Sequence, residues 1–120
     1  MPARRDRSSA SRALDDRRLR RVMQFIAANL HNTIRLKDLA EVASLSPFHF
    51  SRAFRKATGE SPHRFLRECR LEKAKELLAD GAATIAEISL ICSFSSQSSF
   101  TRAFTRAFGL APGKYRRKTQ

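Results

Sequence analysis

Residues 46–62 read SPFHFSRAFRKATGESP, and their reading decides the fold. Ser46-Pro47 is a helix start: a hydroxyl cap is followed by a ring whose φ is already helical and whose missing N–H costs nothing in a first turn. Phe50, Ala53, Phe54 and Ala57 follow at helical spacing and predict an apolar underside. Gly59 is a stop, since a helix that closes through a left-handed residue favours glycine there. Ser61-Pro62 then repeats the start signal. The segment is therefore a helix of about three turns with a longer helix behind it.

The same pattern returns fifty residues later. Phe50, Arg52, Ala53, Phe54, Ala57, Gly59 and Pro62 are answered by Phe100, Arg102, Ala103, Phe104, Ala107, Gly109 and Pro112, and Phe65 by Tyr115. Upstream the offset is 49: Leu36, Leu39, Val42 and Ser44 correspond to Ile85, Ile88, Ile91 and Ser93. A repeat of this length marks a duplicated supersecondary unit. Each copy is a short helix, a tight turn and a longer helix with an aromatic underside, which is the helix-turn-helix design.

The rest of the chain falls into place around the two copies. Leu19, Val22, Met23, Ile26, Ala27 and Leu30 predict a first helix from about Asp16 to Leu30. The helix opened by Ser61-Pro62 runs to about Ala79. Its stripe of Phe65, Leu66 and Cys69 lies about 140° from that of Leu71, Ala74, Leu77 and Leu78, as in a bridge with different partners at its two ends. Thr84-Ile85-Ala86-Glu87 is a capping box, and Ala111-Pro112 opens a final turn or short helix. No segment alternates like a strand. The fold class is all-α, about seven helices in two helix-turn-helix lobes joined by a long bridging helix. The expected organisation is a basic arm over 1–15, a first lobe over 16–63, a linker helix over 64–80, a second lobe over 81–116 and a basic tail over 117–120.

Composition narrows the function. The 120 residues carry 24 Lys and Arg against 11 Asp and Glu, a net charge of +13, and 42% of them are hydrophobic, nine being Phe. That is enough apolar material for a core, and the positive excess attracts polyanions, nucleic acid before an anionic membrane surface. No stretch approaches the length of a membrane span, and no apolar run follows the basic N-terminus as in a signal peptide. Cys69 and Cys92 are far apart without His at metal-ligand spacing, so no zinc site is expected, and two lone thiols suit a reducing cytoplasm. His31, His49 and His63 form no triad or metal set and there is no glycine-rich phosphate loop, so neither an enzyme nor a cofactor is implied.

The outward faces of the two longer helices point to a groove of duplex DNA. Opposite the underside of the first lie Ser51, Arg52, Arg55 and, at the centre, Phe48. An aromatic edge can meet a thymine methyl while Arg forks onto guanine O6 and N7; the alternative is that Phe48 folds under into the core at the helix start. On the second helix Ser98, Thr101, Arg102, Thr105 and Arg106 face outward, with Gln97 on the flank. Lys56, Arg106 and Arg116-Arg117-Lys118 read as phosphate contacts or solvated charge, and the helix starts at Ser46 and at Ser95 or Ser96 can offer N–H groups to phosphates.

LKDLAEVASLSPFHFSRAFRKATG (36–59), IAEISLICSFSSQSSFTRAF (85–104) and GLAPGKYR (109–116) together resemble the DNA-binding domain of AraC/XylS-type transcription regulators over about Leu19 to Arg116. The resemblance implies two recognition helices in successive major grooves, an asymmetric site bound by a monomer, RNA polymerase as a second partner, and Gln97 as a base reader. It implies either a chain that answers to no effector or a part of a longer protein. Ser44 and Ser93 depart from it, standing in turns where the family usually has Gly; a positive φ there would strain Ser by about 1 kcal/mol. The rival reading is a nonspecific architectural DNA- or RNA-binding protein held by charge.

Overall fold

The computed structural model describes residues 14–120, and most of the expected basic arm, up to residue 13, lies outside them. Seven α-helices and no strand occur among the described residues: α1 (Asp16–Ala28), α2 (Leu36–Val42), α3 (Pro47–Thr58), α4 (Pro62–Asp80), α5 (Ile85–Ile91), α6 (Gln97–Phe108) and α7 (Pro112–Thr119). They form two compact units. The first holds 14–29 and 34–66, the second 30–33 and 67–120.

In the first unit Asp15 caps α1, its carboxylate accepting from the Arg18 N–H at 2.9 Å. α1 ends two residues before the expected Leu30: the Asn29 side-chain amide donates to the Phe25 carbonyl at 2.8 Å and closes the last turn. Val22 and Ile26 of α1, Leu39 and Ala40 of α2 and Phe50 and Phe54 of α3 are buried together with Leu14, Ala43 and Leu66. Burying a side chain the size of Phe or Leu is worth about 1.5–3 kcal/mol, so this underside holds α3 in place. The aromatic rings stack in series: Phe50 to Phe54 at 5.5 Å, and Phe54 edge-on to Phe65 at 5.5 Å.

The second unit reproduces the plan. Its core is Leu71, Ala74, Leu78, Ile88, Cys92, Phe100, Ala103 and Phe104. Thr84 and Glu87 cap each other's backbone, with N–H donations of 3.0 and 2.8 Å. Phe100 lies 5.7 Å from Phe104, and Phe104 meets Tyr115 edge-on at 5.7 Å, as Phe54 meets Phe65 in the first copy. The two stripes of α4 are divided largely as the 140° rotation predicts: Phe65 and Leu66 belong to the first unit and Leu71, Ala74 and Leu78 to the second core, but Cys69, read with the first stripe, lies in the second unit.

The turns match as closely. Gly59 and Gly109 end α3 and α6 at φ 87 and 83, conformations that a Cβ would strain. Ser44 and Ser93 have φ 59 and 61, left-handed in both turns. The turn demands the conformation, and here Ser bears it.

Candidate nucleic-acid interface

Each of α3 and α6 is fixed at its start by a hydroxyl. Ser46 accepts from the His49 N–H at 3.2 Å, and Ser96 from the Ser99 N–H at 3.0 Å. With these oxygens on the N3 amides, α3 and α6 begin with defined rotation about their axes, and the buried Phe pairs keep it.

On α3, Phe48 is 65% exposed, so it does not fold under into the core. Its ring is not loose. The Arg52 guanidinium lies over it at 5.6 Å, and the His49 ring meets it edge-on at 5.8 Å. His49 is tied in turn by its Nδ1, 2.8 Å from the Ser46 hydroxyl. Leu45, Ala53, Arg55 and Lys56 complete a shallow concavity around Phe48, His49 and Arg52. Ser51 is half-buried and lines a different groove with Ile34, Leu36 and Leu39, so it sits on the shoulder of the outward face, away from its centre.

On α6, Gln97, Ser98, Arg102, Thr105 and Arg106 are exposed and Thr101 is half-buried. Ser95 reaches Ser99, hydroxyl to hydroxyl, at 3.3 Å. The surface is rich in hydroxyls and carries two guanidinium groups. Arg102 occupies the place of Arg52, but the residue at the place of Phe48 is Ser98.

Three readings of the sequence are corrected. Ala57 and Ala107, which the apolar period assigns to the buried undersides, are exposed: each belongs to the last turn of its helix, where no partner element covers so small a side chain. Arg116, which reads as a phosphate contact or solvated charge, turns inward instead. Its Nε donates to the Leu78 carbonyl at 3.2 Å and its Nη2 to the Ala83 carbonyl. It ties α7 to the end of α4, and the outward basic residues of that run are Arg117 and Lys118, both exposed.

The chain matches the family model described as a helix-turn-helix domain over residues 39–118. Among curated proteins it is 35% identical over 91 residues to the probable transcriptional regulator LumQ of Photobacterium leiognathi, a match covering 76% of this chain and 37% of that protein. The chain thus spans little more than a third of such a relative's length. Among solved structures, an AraC-type transcriptional regulator from Chromobacterium violaceum aligns with a TM-score of 0.80 at 26% identity, covering 85% of this chain and 91% of that one. The DNA-binding domain of AdpA, solved in complex with a target DNA, aligns with a TM-score of 0.76 at 30% identity over 81% of this chain and 87% of that one. Two copies of one helix-turn-helix unit agree with these matches, and the chain belongs to the AraC-type helix-turn-helix family.

Proposed function

We propose that the protein is a sequence-specific, double-stranded DNA-binding transcription regulator that sets α3 and α6 into successive major grooves. The observation that carries this reading is the outward face of α3, where an arginine rests on an exposed aromatic ring in the first turn of the helix. Charge attraction alone does not call for such a group, whereas a groove does: guanidinium forks onto guanine, and apolar edges meet pyrimidine methyls. The DNA-binding set is Phe48, Ser51, Arg52 and Arg55 on α3 and Gln97, Ser98, Thr101, Arg102 and Arg106 on α6, with Arg106 facing the phosphates rather than a base. Lys56, Arg117 and Lys118 serve the phosphates. The neighbour solved with its target DNA supports the partner class. The protein binds DNA as a monomer, with RNA polymerase as its protein partner, as the family resemblance implies.

Selection of bound duplexes from a random pool tests the reading. The expected result is a bipartite motif whose halves lie about 10–10.5 bp apart, one helical turn. Inserting about half a turn between them moves one half to the wrong side of the duplex and drops affinity toward the nonspecific level. A pool that yields no motif, or binding unchanged by the insertion, overturns the two-groove reading in favour of an architectural protein held by the +13 charge.

A further inference from the structure

We infer that the first unit reads a 5-methylpyrimidine–guanine step, and therefore distinguishes 5-methylcytosine from cytosine at that step, while the second unit does not. This rests on the reading of α3 as a major-groove helix.

The inference starts from a coupling between two side chains. Phe48 is 65% exposed, yet it is held on one side by the His49 ring and carries Arg52 at 5.6 Å. The Ser46 hydroxyl anchors His49 at 2.8 Å. A guanidinium lying against a ring keeps its in-plane N–H donors for a forked acceptor. In the major groove the fork O6 plus N7 belongs to guanine. Successive bases on a strand are only about 3.4 Å apart, less than the separation between Arg52 and the ring. When Arg52 engages guanine, Phe48 falls against the edge of a neighbouring base.

What an apolar ring favours at that edge is the C5 substituent of a pyrimidine. Thymine carries a methyl there, cytosine a hydrogen, and 5-methylcytosine the same methyl as thymine. A surface that prefers thymine over uracil at this position must, on the same contact, prefer 5-methylcytosine over cytosine.

The chain contains its own control. Fifty residues on, Arg102 stands for Arg52 but Ser98 stands for Phe48, and Ser98 is an exposed hydroxyl. The cation–ring contacts among the described residues are Arg52 on Phe48 and Lys75 on Phe108, so Arg102 has no ring beneath it. The methyl preference should be confined to the half-site under α3.

The test uses the duplex selected by the protein itself. Each thymine of the first half-site is replaced in turn by deoxyuridine, and the pyrimidine preceding the guanine is compared as cytosine and as 5-methylcytosine. The expected result is one position where loss of the methyl weakens binding about fourfold, and where methylating cytosine strengthens it by the same factor, the worth of one buried carbon. Phe48→Ala should erase both differences while still preferring guanine over 7-deazaguanine at the adjacent base, and the same replacements in the second half-site should change binding less than about twofold. Wild-type protein that binds its selected site but is indifferent to the methyl throughout the first half-site overturns the inference and leaves the proposed function standing. A methyl effect that survives in Phe48→Ala overturns it too. Failure to select any duplex would instead overturn the reading beneath it.

Discussion

The Ser93 hydroxyl donates to the carbonyl oxygen of Leu30 at 3.0 Å, both residues lying in the second unit. Ser44 shares the left-handed backbone of Ser93 but, exposed to solvent, has no such acceptor among the described residues. The Leu30 carbonyl also accepts from Arg70 Nε at 3.2 Å, and Arg70 Nη2 reaches the Asn32 carbonyl at 2.7 Å. The two serines thus bear the same strain, and one of them is compensated. Ser44→Gly relieves about 1 kcal/mol of strain against a smaller gain in unfolded-chain entropy, so stability should rise by about 0.5 kcal/mol. Ser93→Gly gives up in addition a hydrogen bond worth about 0.5–1.5 kcal/mol and should be no more stable than wild type. Urea midpoints decide it: equal gains for both variants would mean that the Leu30 bond contributes nothing.

Arg116→Ala should behave as a folding mutant. It removes two donations to backbone carbonyls 38 and 33 residues away, and hydrogen bonds involving a charged group contribute about 1.5–3 kcal/mol. Arg116 is half-exposed, so a loss near the lower end of that range is expected. Arg117→Ala should stay within about 0.5 kcal/mol, as exposed substitutions do. Thermal melts of the two variants, read side by side, would disprove the tie if they coincide.

Burial pushes the Cys92 thiol from 9.0 up to about 11, against the smaller opposing influence of Lys73 and Arg70. In the unfolded chain the thiol ionises near its ordinary value while the folded protein still holds the proton. Between pH 9 and 11 the unfolded state therefore binds fewer protons, and stability falls as pH rises. Below pH 9 the contribution is constant. Cys92→Ala should be less stable at neutral pH because it opens a small cavity, but its stability should decline less steeply across that window. Parallel slopes in wild type and Cys92→Ala would show that this thiol does not drive the decline.

Specific and nonspecific binding should separate by residue. Arg52→Ala and Arg102→Ala should each cost about 1–3 kcal/mol on the selected duplex and much less on random DNA. Neutralising Arg117 and Lys118 should weaken both DNAs alike and flatten the salt dependence of binding by about 0.9 for each phosphate that no longer meets a cation. Competition assays at several salt concentrations measure both effects. Equal losses on both DNAs for the Arg52 and Arg102 variants would assign those side chains to phosphate.

The helix starts, the stops and the duplication were legible because each is local: Ser46-Pro47, Gly59 and the Thr84–Glu87 box state their roles within a few residues. The spacing of Phe48 from Phe50 and Phe54 pointed it outward but left open that it folds under at the helix start, which its exposure in the structure excludes. What could not be read was long-range. Nothing near Arg116 in the sequence distinguishes it from Arg117, because its acceptors are carbonyls of Leu78 and Ala83 that only tertiary packing brings close. Ala57 and Ala107 follow the apolar period, yet whether a last turn is covered depends on where neighbouring elements end. The approach of Arg52 to the Phe48 ring follows from their i,i+4 spacing, but the ring's anchoring through His49 to Ser46 rests on rotamers that spacing leaves open.

The duplicated unit keeps its aromatic underside, caps and turn conformations in both copies while its outward residues differ: Phe48 against Ser98, Ser51 against Thr101, Arg55 against Thr105, Lys56 against Arg106. Addressing is thus separable from architecture. On the proposed reading, trading those four side chains between the copies should exchange most of what the two halves recognise, Gln97 excepted, while leaving the buried rings of both untouched, as two cartridges cut to the same socket.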